Sequence, residues 1–332
     1  MIDATPRRPL LALAILVTLV AGLAAVRLLI YRAGGGELTW GWPAGEIARL
    51  RLTSVAVATL VGAALGISGL LLQALLRNPL ASPFVLGVSG GAALGVMTAI
   101  SLEHAWGLAW ARSGADAPAA LVGALAALVI VYGLGQRRGW LDPVSLILIG
   151  VVVSAICGAL IMFLQHLAPF GLRGDLVTWM MGIVPQGVSG MALAGSGIVV
   201  GLGAAGALGL GHAMDAATLG DDEARTVGLA VTRVRALLFV IAGVLASIAV
   251  ALAGPIGFVG LIAPHAARLG MGPRHGRLVV GSAAAGAALL IGADLAAQVT
   301  SVGGGRMPVG VFTALLGGPT FIWLLRSGRG QA

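Results

Sequence analysis

The sequence predicts an all-α, polytopic membrane protein on three observations: its composition, the length of its apolar segments and the placement of its arginines. Of the 332 residues, 58% are hydrophobic and only 10% are charged, and the mean hydropathy is +1.02. A soluble domain carries about 25% charged residues. The composition therefore excludes a water-soluble fold, and it excludes disorder, which requires high charge and low hydrophobicity.

Apolar segments of membrane-spanning length fill most of the chain. A span needs about 20 residues, and the eighth segment is too short to cross alone, so broken or short helices are expected. The first segment follows Arg7 and Arg8 like a signal peptide, but its 17 residues and its continuation to Ile30 favour a retained helix. The ten segments are 10–26, 55–76, 84–102, 117–134, 144–167, 191–210, 236–253, 257–267, 278–299 and 309–325.

The arginines predict the orientation. With a cytoplasmic N-terminus and alternating spans, 13 of the 20 basic residues face the cytoplasm and seven, including Arg27, Arg49 and Arg51, face outward. Because cytoplasmic loops carry an excess of basic residues, both termini are expected inside.

All 20 basic residues are arginine, so a Walker A lysine is excluded. Any ATP and Mg²⁺ must be bound by another chain, and no cofactor is expected on this one.

Glycines predict how the helices pack. Three ridges carry small residues at every fourth position, at Gly62 and Gly66, at residues 87, 91 and 95, and at Gly197 and Gly201. Such ridges let helix backbones approach closely in lipid.

Two stretches, 78–83 and 254–257, interrupt long apolar segments. Non-helical backbone at membrane depth requires cover by protein or a cavity, so the pair suggests an internal repeat with a pathway at its interface.

Long ordered motifs in both halves resemble the FecCD family, the permeases of type II ABC importers for ferric siderophores, haem and cobalamin. The resemblance covers nearly the whole chain. The motifs are GAALGISG at 62–69, QALLRNPLASP at 73–83, LGVSGGAALG at 86–95, LGDDEARTVG at 219–228, AGPIGFVGLIAPHAAR at 253–268 and MPVGVFTALLGGPTFIWLL at 307–325.

The resemblance implies one transmembrane permease domain over residues 1–332, with ten helices, acting as a homodimer in the bacterial inner membrane. It further implies two ABC ATPase subunits on the cytoplasmic side and a periplasmic substrate-binding protein outside. The expected cargo is an iron chelate, a ferric siderophore or haem, with cobalamin as the alternative. Nucleic acid is not an expected partner, because the arginines lie singly between apolar runs.

Two cytoplasmic elements follow from the resemblance. The polar segment at about 215–230 would dock into the ATPase, with packing positions Leu219, Gly220, Ala224 and Gly228. From its residues alone, without the resemblance, a plain solvated loop is the favoured interpretation. The turn at Asn78 and Leu80 and the helix start at Pro143, Val144 and Ser145 would form the cytoplasmic gate. The Asn-Pro pair could also be a simple helix stop.

On the outer side, the family's docking arginines are only partly matched. Arg51 matches the first, and we expect Arg49 and Arg306 to replace charges that this sequence lacks; simple interface anchors are the alternative. The fifth apolar segment would line the pathway, with Met162, Gln165 and His166 towards its outer end.

One carboxylate, Asp294, stands deep in an apolar segment. An intramembrane acid is by default a candidate functional group, and it would serve an ion-coupled secondary transporter. A buried hydrogen-bonding role is the favoured interpretation, because the family has Ala-Asp here without proton coupling. An intramembrane enzyme is a further alternative, but the five histidines are scattered and form no catalytic set.

Overall fold

A computed structural model describes residues 9–32, 37–106, 116–137, 140–167, 170–300 and 307–326. Helices account for most of them, together with a 3-10 helix at Pro83–Leu86 and two short antiparallel hairpins, β1 (Ile30–Arg32) with β2 (Leu38–Trp40) and β3 (Gln136–Arg137) with β4 (Trp140–Leu141). The α-helices are α1 (Pro9–Leu29), α2 (Gly45–Leu76), α3 (Val88–Trp106), α4 (Asp116–Leu134), α5 (Pro143–Leu167), α6 (Phe170–Met180), α7 (Gly190–Gly209), α8 (Gly211–Ala217), α9 (Asp221–Thr226), α10 (Val231–Ala253), α11 (Val259–Met271), α12 (His275–Thr300) and α13 (Val309–Arg326).

The all-α membrane architecture is confirmed, and each of the ten predicted segments overlaps a helix. Among the described residues, seven helices are long and apolar enough to cross a membrane: α1, α2, α4, α5, α7, α10 and α12. Helices α3 and α13 have 19 and 18 residues. Helix α11 has only 13, which confirms the expected short helix. Helix α6 and both hairpins were not predicted.

Helix α2 is the centre of the bundle. It has 32 residues, and most of its side chains beyond Ser54 are buried against α12, α10 and α11. Helix α1, by contrast, has no fully buried apolar side chain: its apolar side chains are either exposed or half-buried. In a membrane that surface faces lipid, so the bundle is built outward from α2.

Glycine brings the central helices to backbone contact. A Cβ atom at Gly62 would overlap the carbonyl oxygen of Gly286 on α12, and a Cβ at Gly286 would overlap that of Gly62. Gly91 on α3 and Gly123 on α4 make the same reciprocal contact. Two of the predicted ridges therefore pack as expected. The third, Gly197 and Gly201, meets nothing within 4 Å in the part of the chain that the structure describes.

Both predicted interruptions are present, and they lie at opposite ends of the bundle. Helix α2 ends at Arg77, which has a left-handed backbone (φ 47°) and donates its N–H to the Gln73 carbonyl. Helix α10 begins near α9 and ends at Gly254 (φ 70°) at the far end. We call the end that carries α8 and α9 the coupling end, and the opposite end the Arg27 end.

A buried ion pair joins three helices at the Arg27 end. The Arg27 side chain is fully buried, and its Nε donates to Asp294 Oδ2 at 2.6 Å. Its Nη2 donates to the Ser54 hydroxyl at 3.3 Å. Arg27 lies at the end opposite α8 and α9, but its side chain does not face outward: its charge is neutralised inside the bundle, where it holds α1 and α2 against α12.

We expect the Gly62→Ala variant to lower the thermal midpoint of the detergent-solubilised protein. The added methyl overlaps a backbone carbonyl that cannot move without separating α2 from α12, at a cost of about 1–3 kcal/mol. Gly22→Ala is the matched control, because nothing lies within 4 Å of Gly22 and alanine is the better helix former. A Gly62→Ala midpoint at or above that of the wild type would contradict the contact.

We expect Asp294→Ala to be more destabilising than the Arg27→Leu/Asp294→Ala double variant. The single change leaves a buried cation without its partner, which costs about 3–5 kcal/mol, whereas removing both charges is often close to neutral. Thermal melting of the two variants in the same detergent measures the difference. Equal midpoints would show that the pair contributes no electrostatic constraint.

Candidate functional site

The predicted ATPase-docking segment folds as two short helices rather than one. Helix α8 ends at Ala217, and Gly220 (φ 130°) turns the chain into α9. Three acids, Asp221, Asp222 and Glu223, occupy the first turn of α9, where the partial positive charge of the N-terminus favours them. A left-handed backbone at Gly220 suits glycine, so this turn sets the direction of α9.

The exposed face of this segment carries apolar side chains. Leu219 is 64% exposed and Val227 is 65% exposed, and Gly228 is exposed as well. Ala224 is fully buried within the chain. Of the predicted packing positions, Leu219 and Gly228 therefore face outward, Gly220 makes the turn and Ala224 faces the bundle. Val227 was missed; its signal was an apolar side chain in a polar stretch.

Asp215 attaches α8 to α12. Its Oδ1 accepts the backbone N–H of His275 at 2.9 Å and lies 2.7 Å from His275 Nδ1. The carboxylate thus caps the first turn of α12. Gly211, at the start of α8, lies against Gly276, which brings the two helix starts close together.

Asp221 attaches α9 to α2 and α10. Nη2 of Arg235 on α10 donates to both Asp221 carboxylate oxygens at 2.9 Å. Arg77, at the end of α2, forms a second ion pair with the same carboxylate. Arg235 Nη1 also lies 3.5 Å from the Leu141 carbonyl oxygen of β4. Neither Arg77 nor Arg235 was predicted as a site residue.

The first predicted gate segment is a tight turn. Asn78 is exposed, and its Oδ1 accepts the N–H of Leu80 at 2.9 Å, a local bond typical of asparagine turns. The chain then enters the 3-10 helix, whose Val85 carbonyl lies against Gly150 of α5. This contact brings the turn beside α5.

The second predicted gate segment is the first turn of α5. Asp142 precedes Pro143 and accepts the N–H of Ser145 at 2.8 Å and its hydroxyl at 2.6 Å. This is an N-cap with proline at the first helical position. The Val144 side chain is 63% exposed at the surface. Asp142 was missed, although aspartate before proline is a helix-start signal. The gate role of both segments stays a prediction.

Helix α5 has two unlike faces. One face is a buried stripe at helical spacing: Leu146, Gly150, Val153, Cys157 and Ile161. The other exposes large apolar side chains: Val144, Leu148, Val151, Val152, Ile156, Leu160, Met162, Phe163 and Leu167. Of the predicted lining residues, Met162 and His166 are exposed and Gln165 is half-buried. They lie towards the Arg27 end, and their role in lining a pathway stays a prediction.

The predicted docking arginines differ in their surroundings. Arg49 is exposed. Arg51 is buried; its Nη1 donates to the Leu28 carbonyl at 2.7 Å, and its guanidinium lies 4.2 Å from the centre of the Tyr31 ring. Arg306 lies outside the described residues. Arg51 therefore supports the junction of α1 and α2, whereas Arg49 is exposed. A docking role for these arginines stays a prediction.

Comparisons with known proteins agree with this architecture. Residues 10–327 match the family model described as the FecCD transport family. The chain is 39% identical over 280 residues to a cobalamin import system permease protein BtuC of Halobacterium salinarum, covering 84% of this chain and 73% of that protein. It is 36% identical over 282 residues to a hemin transport system permease protein HmuU of Yersinia pestis, covering 85% and 83%.

A solved structure shows the same fold. It is an inward-facing conformation of a transporter assigned to the metal-chelate type of ABC transporter, with a TM-score of 0.80 and 27% identity over 95% of this chain and 98% of that one. The family match spans nearly the whole chain, and the relatives exceed 30% identity over most of it. The chain is therefore a multi-pass permease of the inner membrane and belongs to the FecCD transport family of ABC importers.

Proposed function

We propose that this permease carries an iron chelate, a ferric siderophore or haem, from the periplasm to the cytoplasm as a homodimer. Two ABC ATPase subunits bind at the coupling end and supply ATP and Mg²⁺, and a periplasmic binding protein delivers the cargo at the Arg27 end. The observation that carries the proposal is the exposure of two apolar side chains, Leu219 and Val227, on the α8–α9 segment. This segment lies outside the membrane-spanning helices of the permease.

The exposed apolar residues support ATPase docking. Leu219 and Val227 flank α9, whose Asp222 side chain is 95% exposed and whose Arg225 side chain is 42% exposed. Apolar side chains among solvated charges mark a partner surface rather than a lipid-facing one. The chain also has no lysine, so the nucleotide site that drives transport belongs to the partner.

The exposed face of α5 supports a pathway between two copies. Its large apolar side chains stand opposite the stripe that packs into the bundle. In a homodimer this face would meet its counterpart, with Met162, Gln165 and His166 lining the outer part of the passage. A broad apolar wall with few polar groups suits a bulky chelate, because cargo that binds weakly along the wall is released inward.

Cobalamin is the second candidate cargo. Relatives from Halobacterium salinarum and Yersinia enterocolitica are named as cobalamin or vitamin B12 import permeases, at 39% and 36% identity. Cobalamin and haem are both bulky metal complexes of a tetrapyrrole ring, so the same broad passage would accept either. On the outer side, Arg49 and Arg306 are the proposed contacts for carboxylates of the binding protein.

We expect proteoliposomes that contain the permease, its ATPase and its binding protein to accumulate one of three ligands when ATP is inside: haemin, ferrichrome or cyanocobalamin. Scintillation counting of labelled ligand measures uptake, and vesicles without ATP are the control. Uptake of haemin or ferrichrome supports the iron-chelate proposal, and uptake of cyanocobalamin alone favours the second candidate. Uptake driven by a proton gradient without ATP would overturn both.

We expect Leu219→Glu to reduce co-purification of the ATPase subunits with the permease. The substitution removes an apolar contact and places an ionised carboxylate where the interface excludes water, which carries a desolvation cost. Thr232→Glu is the control, since it adds the same charge at an exposed position in the first turn of α10. Equal ATPase recovery with both variants would contradict docking through Leu219.

A further inference from the structure

A single carboxylate at the coupling end is shared by two arginines from different helices. Asp221 begins α9, Arg77 ends α2, and Arg235 lies in the second turn of α10. Arg235 Nη2 is 2.9 Å from both Asp221 oxygens, and Arg77 pairs with Oδ1. Asp221 is thus the point at which α9, α2 and α10 meet.

Both arginines lead directly to the predicted gate segments. Arg77 is the residue before Asn78, so its backbone is continuous with the first gate turn. Arg235 Nη1 lies 3.5 Å from the Leu141 carbonyl oxygen, and Leu141 precedes Asp142, the residue that caps α5. A displacement of Asp221 therefore reaches the turn at 78–80 through one arginine and the start of α5 through the other.

We propose that Asp221 is the positioning residue that transmits movement of α9 to both gate segments. The inference rests on the proposed function, in which ATPase subunits bind α9. Leu219 and Val227 face the partner, while Asp221 points back to the bundle, so the segment contacts the ATPase on one side and the gate on the other.

The setting of the ion pairs suits a movable link. The Arg77 and Asp221 side chains are 38% and 30% exposed, and that of Arg235 is 13% exposed. Water reaches the pairs, so they can break and re-form without leaving a buried charge unpaired. Arg77 also has a left-handed backbone, an uncommon conformation for a residue with a side chain.

The test compares uptake and ATP hydrolysis in the same vesicles, with haemin, ferrichrome or cyanocobalamin as the ligand. Asp221→Asn keeps the size of the side chain but removes its charge. We expect it to lower the number of ligands carried per ATP hydrolysed, because movement of α9 then no longer reaches either gate segment. Arg77→Gln is expected to lower the same ratio, because it removes one of the two links.

Two variants serve as controls. Asp221→Glu keeps the charge and is expected to retain the wild-type ratio. Arg233→Gln removes an arginine from the same helix as Arg235, two residues away and exposed, and is expected to leave uptake and hydrolysis unchanged. The ratio is informative because a merely structural defect reduces the amount of working complex, and with it uptake and hydrolysis in equal proportion.

Each outcome decides between the two proposals. If Asp221→Asn carries as many ligands per ATP hydrolysed as the wild type, the role of Asp221 is overturned. This includes the case in which uptake and hydrolysis fall in equal proportion. Either result leaves the proposed function standing. A wild-type complex that hydrolyses ATP but imports none of the three ligands would overturn the proposed function, and the inference with it. Futile hydrolysis in Asp221→Asn alone supports the inference.

Discussion

The contact on which the rest of the structure depends is the close approach of α2 to α12. In lipid there is no hydrophobic force between helices, so packing must come from close van der Waals contact. The reciprocal overlap at Gly62 and Gly286 brings two backbones together where any side chain would separate them. Once these helices are joined, α10 and α11 pack against α2, and the remaining helices surround this core.

The ion pairs that join the helices lie at the two ends of the bundle rather than at its closely packed centre. At the Arg27 end, the Arg27–Asp294 pair is fully enclosed and joins α1 to α12. At the coupling end, the ion pairs of Asp221 are partly open to water. The enclosed pair resists rearrangement because separating it would expose buried charges to lipid, whereas the open pairs can exchange partners. The two ends of the bundle therefore differ in how readily their ion pairs can rearrange.

The membrane architecture could be predicted because a span is a long, strongly apolar signal, and all ten segments overlap helices. Helix α6 and the hairpins were missed because short elements between spans have no such signal. The FecCD motifs predicted a docking segment at 215–230, but not which of its residues face the bundle, so Ala224 was grouped with Leu219. Arg77 and Asp221 are 144 positions apart, and arginine and aspartate in loops give no indication of which partner they meet. The burial of Arg27 was not predicted for the same reason: its partner lies 267 positions away.

The chain contains a single cysteine, Cys157, and it lies in the buried stripe of α5. A thiol in this position is poorly accessible to water-soluble maleimides or spin labels. The native protein is therefore already close to a cysteine-free background, without the substitutions that membrane proteins usually need before labelling. Pairs of new thiols, one on the turn after α2 and one on α9, would report distances by electron paramagnetic resonance with little contribution from the native residue.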